Sequence, residues 1–190
     1  MRKIRYAYIF DFDGVLVRTM EAHFQCYKQA LREAGVPIVR KQFFHQAGMT
    51  GLEQIRYFVE RAGVKANIEE IYRRKREIWE KSPRTVTDID CNVEFLRILR
   101  AAHVPVAIAS GSSRRTILPI MKQHGIEADT VVGADDVRRG KPHPDLFLCA
   151  ARRLGIPPKH CIVVEDSDVG IEAARAANMK AIRFYDNEGD

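Results

Sequence analysis

No stretch of the sequence is apolar over the roughly 20 residues a membrane-spanning helix needs, so an integral membrane protein of that kind is excluded. The first apolar run, Tyr6 to Phe10, is broken by Asp11 and is too short for the core of a secretory signal. Cysteine is scarce. Cys26, Cys91, Cys149 and Cys161 are scattered without a Cys-x-x-Cys pair, and each falls in or beside an apolar segment. Buried free thiols are therefore expected, not disulfides or a thiolate metal site, and a cytoplasmic location follows. Internal repeats and low-complexity segments are lacking. The formal charge is +6, but no RNA-binding aromatic signature accompanies the basic residues. Their densest run, Arg73-Arg74-Lys75-Arg76, lies beside Glu69, Glu70, Glu77 and Glu80 and reads as a solvated helix face laced with ion pairs. Neither nucleic acid nor membrane is an expected partner, and a monomer or weak dimer is.

What is present begins with Ile9-Phe10-Asp11-Phe12-Asp13-Gly14, an apolar strand that ends in two carboxylates. Alternation puts Asp11 and Asp13 on one face and Phe10 and Phe12 on the other. Gly14 permits a sharp exit from the strand. In a parallel α/β sheet the C-terminal ends of strands are where ligands bind. Two carboxylates there hold a divalent cation, divide nucleophile and acid/base roles, or do both; an ordinary Asp-Gly surface turn is the plain alternative. Val104 to Ala109 is a second such strand, ending at Ser110-Gly111-Ser112-Ser113. Cys161 to Val164 is a third, ending at Glu165-Asp166-Ser167-Asp168. Between them Gly140-Lys141-Pro142 precedes an amphipathic segment, Leu146 to Leu154. Acidic clusters, hydroxyls with free backbone N–H groups and a lysine together suit a cation and a phosphate.

The order and residue types of these four segments, spanning residues 9 to 170, resemble the haloacid dehalogenase-like hydrolase superfamily. The resemblance implies an α/β three-layer, Rossmann-like core with a parallel sheet of order 5-4-1-2-3. It implies Asp11 as nucleophile, forming an aspartyl-phosphate, and Asp13 as general acid and then base. Mg²⁺ would be held by the Asp11 carboxylate, the Asp13 carbonyl, Asp166 and Glu165, the last directly or through water. Ser110 and the Gly111 N–H would cradle phosphate oxygens, and Lys141 would offset the crowded negative charge. Relatives that release halide lack the second aspartate, so Asp13 points to phosphoryl transfer, whose alkoxide leaving group needs a proton.

Between the first two motifs the βα alternation is interrupted. Met20 to Ala34, Leu52 to Ala62 and Ile68 to Lys81 read as amphipathic helices, the last ending before Ser82-Pro83; alternation resumes with a helix over Val93 to Ala102. This predicts an inserted helical cap over residues 15–86, with a catalytic core of residues 1–14 and 87–190, as in the subgroup of sugar phosphatases, phosphoglycolate phosphatases and β-phosphoglucomutase. Arg18 stands where relatives carry a third acid; it either reaches an anionic group on the substrate or is a hinge residue facing solvent. His23 either orients Asp13, binds substrate, or is a satisfied helix histidine. Thr50 in the cap loop and Arg114 after the phosphate-binding serine are further candidate substrate contacts, with a surface placement the alternative for Arg114. β-Phosphoglucomutase carries an arginine where Gly51 falls here, which weakens the mutase reading unless an arginine elsewhere, such as Arg56 or Arg114, substitutes for it. The expected function is a Mg²⁺-dependent phosphatase of a small phosphorylated metabolite, a sugar phosphate or phosphoglycolate-like acid. The alternatives are a sugar phosphomutase and a non-catalytic binding module.

Overall fold

The computed structural model describes residues 6–81 and 86–185. Eight α-helices occur among them: α1 (Met20–Glu33), α2 (Arg40–His45), α3 (Gly51–Ala62), α4 (Ile68–Lys81), α5 (Asp90–Ala101), α6 (Arg114–His124), α7 (Asp145–Leu154) and α8 (Asp168–Ala176). The strands β1 (Ala7–Phe10), β2 (Val106–Ala109), β3 (Thr130–Val132), β4 (Cys161–Glu165) and β5 (Lys180–Arg183) form one sheet in the order β3-β2-β1-β4-β5. Every pairing is parallel, and the order is the expected 5-4-1-2-3 read from the opposite edge.

The sheet's two faces follow from strand alternation. Ile9 pairs with Ala107 and Val163 and looks toward a layer containing Phe147 of α7 and Ala173 of α8. Phe10 pairs with Ile108 and Val164 and looks the other way, toward Val93 and Leu96 of α5 and Ile117 of α6. Both faces are covered, as parallel sheets require. The second strand starts later than the run from Val104 suggests. Pro105 has no N–H for the ladder, although its carbonyl accepts from Tyr8 N–H at 3.0 Å. The last strand lies at Lys180–Arg183 instead of Ala181–Tyr185. Helix α5 begins at Asp90, ahead of the predicted Val93. Ser82 and Pro83, the expected stop of α4, lie outside the described residues. Cys26, Cys149 and Cys161 are buried, but Cys91 is exposed, because α5 turns Asn92, Val93, Leu96 and Leu99 inward.

Helices α1 to α4 lie between β1 and β2 in sequence, with α1 and α3 packed on α4 and α2 on α1. Phe24, Phe43, Ile55, Phe58 and Trp79 fill the space between them. The chain leaves β1 and returns to α5 through segments that pair with each other. Val17 bridges Asp88 in antiparallel fashion, and Ile89 N–H donates to the Leu16 carbonyl at 2.9 Å. Two short crossings side by side thus join the inserted helices to the sheet, directly beside Asp13.

Candidate active site

The chain turns at the end of β1, where Asp11 N–H donates to the Val164 carbonyl of β4 at 2.9 Å and fixes the Asp11 side chain above the sheet. Gly14 follows with φ of +90°, a value L side chains rarely adopt, and a Cβ there would run into the Asp166 carboxylate. The glycine thus lets the β1 loop and the β4 loop approach until their acids face one another. Asp11, Glu165 and Asp166 each offer an oxygen, all within 4.8 Å of one another. Lys141 enters from the loop before α7, with Nζ 2.8 Å from Asp11 Oδ1 and 2.6 Å from Glu165 Oε2. Lys141 and Glu165 are fully buried.

Three carboxylates and one ammonium leave an excess of two negative charges in a dry place when all are ionised. Burial and the Glu165 charge push Asp11 well above the ordinary carboxylate range, against the pull of Lys141. Burial and the same neighbour push Asp166 up to about 7. Although burial opposes its charge, Asp11 and Glu165 hold Lys141 above the usual lysine value. Asp11 Oδ1 is buried without a well-aligned hydrogen bond. An oxygen-ligated divalent cation fits this charge excess and donor set. Glu165 has little to spare for it, since Oε2 receives Lys141 and Oε1 receives both the N–H and the hydroxyl of Ser167, at 3.1 and 2.7 Å.

Asp13 has a different environment. Its Oδ1 accepts from Thr19 Oγ1 at 2.5 Å and lies 3.2 Å from His23 Nε2; its Oδ2 accepts from Ser110 Oγ at 2.9 Å. Burial alone would raise its pKa, but its contacts with His23, Thr19 and Ser112 outweigh burial and hold it well below the ordinary range. Behind His23, Lys75 Nζ stands 3.2 Å from Nδ1. An ammonium can only donate, so Nδ1 accepts and Nε2 carries the hydrogen that faces Asp13. Trp79 stacks on the imidazole with centroids 4.0 Å apart and planes inclined by 7°, which locks the ring. Ser110, at the end of β2, also accepts from Ser112 N–H at 2.9 Å and so keeps the following loop turned toward the carboxylates.

The structure therefore brings Asp11, Asp13, Ser110, Lys141, Glu165, Asp166 and His23 together, and Gly111 lines the same cavity. Three other candidates lie elsewhere. Arg18 donates its backbone N–H to the Thr87 carbonyl and its Nη1 to the Asp88 carbonyl, at 2.9 and 2.6 Å, so it straps the two connecting segments. Thr50 caps α3, accepting from Glu53 N–H in a reciprocal capping box. Arg114 faces Asp135 and Asp136 at 3.7 and 3.4 Å on the surface. The basic run in α4 is only partly the solvated face expected of it. Arg73 and Arg74 pair with acids, but Lys75 is buried and points at His23. Ile71, Lys75, Ile78 and Trp79 share one buried stripe, a helical spacing that was available to place it. Tyr27, Gln54, Tyr72 and Arg76 also line the cavity and carry no motif. The position of Gly51 has a steric reason, since a Cβ there would lie 2.5 Å from Tyr72 Cε2 and 2.9 Å from the Tyr27 hydroxyl.

The profile of the haloacid dehalogenase-like hydrolase family matches residues 8–184. Fructose-1-phosphate phosphatase YqaB of Escherichia coli is 31% identical over 185 residues, covering 94% of this chain and 96% of that protein. The β-phosphoglucomutase of Bacillus subtilis is 30% identical, covering 93% and 81%. A hydrolase from Pseudomonas syringae superposes with a TM-score of 0.87 at 25% identity, covering 97% and 88%.

Proposed function

The chain belongs to the haloacid dehalogenase-like hydrolase family and to its phosphoric monoester hydrolases, and from that premise we propose a Mg²⁺-dependent phosphatase of a small phosphorylated metabolite, working through an aspartyl-phosphate on Asp11. The observation that supports this reading is the difference in surroundings between two neighbouring carboxylates. Asp11 sits among acids and one lysine, whereas Asp13 has its own set of donors, Thr19, His23 and Ser110 among them.

In the first step an Asp11 carboxylate oxygen bonds to phosphorus, the bond to the leaving oxygen breaks, and that oxygen takes a proton from Asp13, which must be protonated in the substrate complex although its donors in the free protein favour the carboxylate. In the second, Asp13 takes a proton from water as the water oxygen bonds to phosphorus and the Asp11–phosphorus bond breaks. The donors that keep Asp13 ionised suit it to that second role. Ser110 and the Gly111 N–H hold phosphoryl oxygens, and Lys141 opposes the charge that builds on them. Asp11, the Asp13 carbonyl and Asp166 would hold Mg²⁺, with Glu165 acting through Lys141 and through water. The ion supplies neutralisation of the charge shared by nucleophile and phosphate.

Helices α1 to α4 act in this reading as the cap, over residues 15–86, and residues 1–14 and 87–190 as the catalytic core. The cap contributes Lys75, Arg76, Gln54 and two tyrosines to the cavity wall. Cations and hydroxyls, with no carboxylate from α1 to α4 among the described lining residues, favour a short, polar or anionic leaving group such as a sugar or hydroxy acid. Kinship with β-phosphoglucomutase supports a second reading, a sugar phosphomutase. Against it, Tyr27 and Tyr72 occupy the space a side chain at Gly51 would need. The test is phosphate release from sugar phosphates, phosphoglycolate, nucleotides and an aryl phosphate, with Mg²⁺ and with chelator. Release abolished by chelator and by Asp11→Asn is the expected result. Isomerisation of a sugar phosphate without net release would favour the mutase instead.

A further inference from the structure

The inserted helices meet the sheet along a seam with almost no spare space. A Cβ on Gly111 would lie 2.5 Å from the Met49 carbonyl oxygen, and one on Gly140 would lie 2.6 Å from Thr50 N and 2.5 Å from Glu53 Oε2. Backbone therefore meets backbone at both glycines, so the helical insertion and the loops of the sheet are in direct contact beside the acids.

Across the seam the Glu53 carboxylate of α3 accepts the Gly140 N–H on both oxygens, each at 3.1 Å. The same carboxylate is fixed from its own side, because Oε2 also accepts from Thr50 N–H at 3.0 Å and Thr50 Oγ1 at 2.6 Å. A charged acceptor already immobilised by its helix cap loses little entropy when it meets an external donor. Gly140 immediately precedes Lys141, whose ammonium bridges Asp11 and Glu165. An ion pair that joins α4 to α6, Arg115 with Glu80 at 2.9 Å, has both side chains largely exposed and contributes little.

We propose that Glu53 is a positioning residue that latches the helical insertion to the Gly140 peptide and so couples closure of the cavity to the placement of Lys141. When the seam parts, the Gly140 N–H loses its acceptor and the loop carrying Lys141 is released on one side. When it shuts over a substrate, the latch sets the lysine loop and excludes water in the same movement. A helix cap alone explains the Thr50 contacts; it does not explain why the carboxylate turns both oxygens outward to a neighbouring loop.

Backbone hydrogen exchange of the metal-free protein, read on peptides spanning Gly140, tests this without any assumption about substrate. In Glu53→Ala, exchange at Gly140 rises about tenfold, the size expected for losing one hydrogen bond to a charged group, while β1 and β4 keep their protection. Thr50→Ala removes the capping hydroxyl but keeps the Glu53 carboxylate, and exchange at Gly140 stays within about twofold of the parent. Glu53→Gln, which keeps an acceptor of the same shape, falls between the two, and it carries the test if the alanine variant does not fold. Unchanged exchange at Gly140 in Glu53→Ala, or an equal rise in Thr50→Ala, overturns the latch. A second arm rests on the phosphatase reading: kcat falls about tenfold in Glu53→Ala with a smaller change in KM. Failure of that arm in a protein with no phosphatase activity at all counts against that reading, whereas exchange at Gly140 judges the latch by itself.

Discussion

At Asp13 a threonine, a histidine and a serine converge, and behind the histidine stands the ammonium of Lys75. Lys75 sets the imidazole tautomer, so its removal should change chemistry more than folding. Lys75→Met keeps the apolar stem; kcat should fall about tenfold, with a Tm change of only a few degrees, as read by steady-state rates and thermal melting. A second expectation concerns pH. Without a cation, burial and Glu165 raise Asp166 from 3.8 to about 7, so between those values the folded state binds more protons than the unfolded chain. Stability of the metal-free protein should therefore fall as pH rises through that window, with Tm lower by about 5 °C or more near pH 8 than near pH 5. Mg²⁺ should restore Tm at the higher pH, and Asp166→Asn should flatten the dependence. A Tm that rises steadily over that range would contradict the charge excess. The acids and Lys141 were legible in the sequence because each stands at a strand end or in a motif. Lys75 was not, because its neighbours Arg73, Arg74 and Arg76 make the run look solvated, and only the phase of the helix turns Lys75 inward.

At the scale of elements, helix α3 shows how local signals and packing meet. The Thr50–Glu53 capping box starts it and a left-handed Gly63 ends it, so both ends are marked in the sequence. Its first residue, Gly51, is set by contacts from elsewhere, with Tyr72 of α4 and Tyr27 of α1 against it. Gly51→Ala should cost about 1–3 kcal/mol by overpacking despite the better helix propensity of alanine, measurable by denaturant unfolding. Stabilisation by the substitution would show that the tyrosines yield. Other elements had weak signals for physical reasons. Helix α6 carries Pro119 in its interior, which removes one intrahelical hydrogen bond and reads as a break, yet its buried Ile117, Ile120 and Met121 hold it against the sheet. Helix α2 has six residues and β3 has three, too few for either periodicity to declare itself. The strands bordering the site were plain because a parallel sheet covered on both faces needs continuous apolar runs.

Across the whole molecule, the sheet places the acids and the inserted helices close the space above them. No helix among the described residues is long and apolar enough to cross a membrane. The edge strand β5 exposes Ile182 but brackets it with Lys180 and Arg183, a charge pattern that discourages pairing with other chains. The sheet order and the alternation of motifs around it could be read before any coordinates. The closeness of the seam could not, because it depends on which backbones touch and not on which residue types occur.

The central claim is that phosphoryl passes through Asp11. It is tested most directly by acid-quenching the protein during turnover of a phosphorylated substrate with Mg²⁺ and measuring covalent phosphate on the peptide that carries Asp11. The account predicts a hydroxylamine-sensitive acyl phosphate on Asp11 that is absent from Asp11→Asn and that, with an aryl phosphate whose leaving group needs no acid, accumulates when Asp13→Asn slows its hydrolysis. Turnover with no phosphorylated protein in Asp13→Asn, or label that persists in Asp11→Asn, would contradict it.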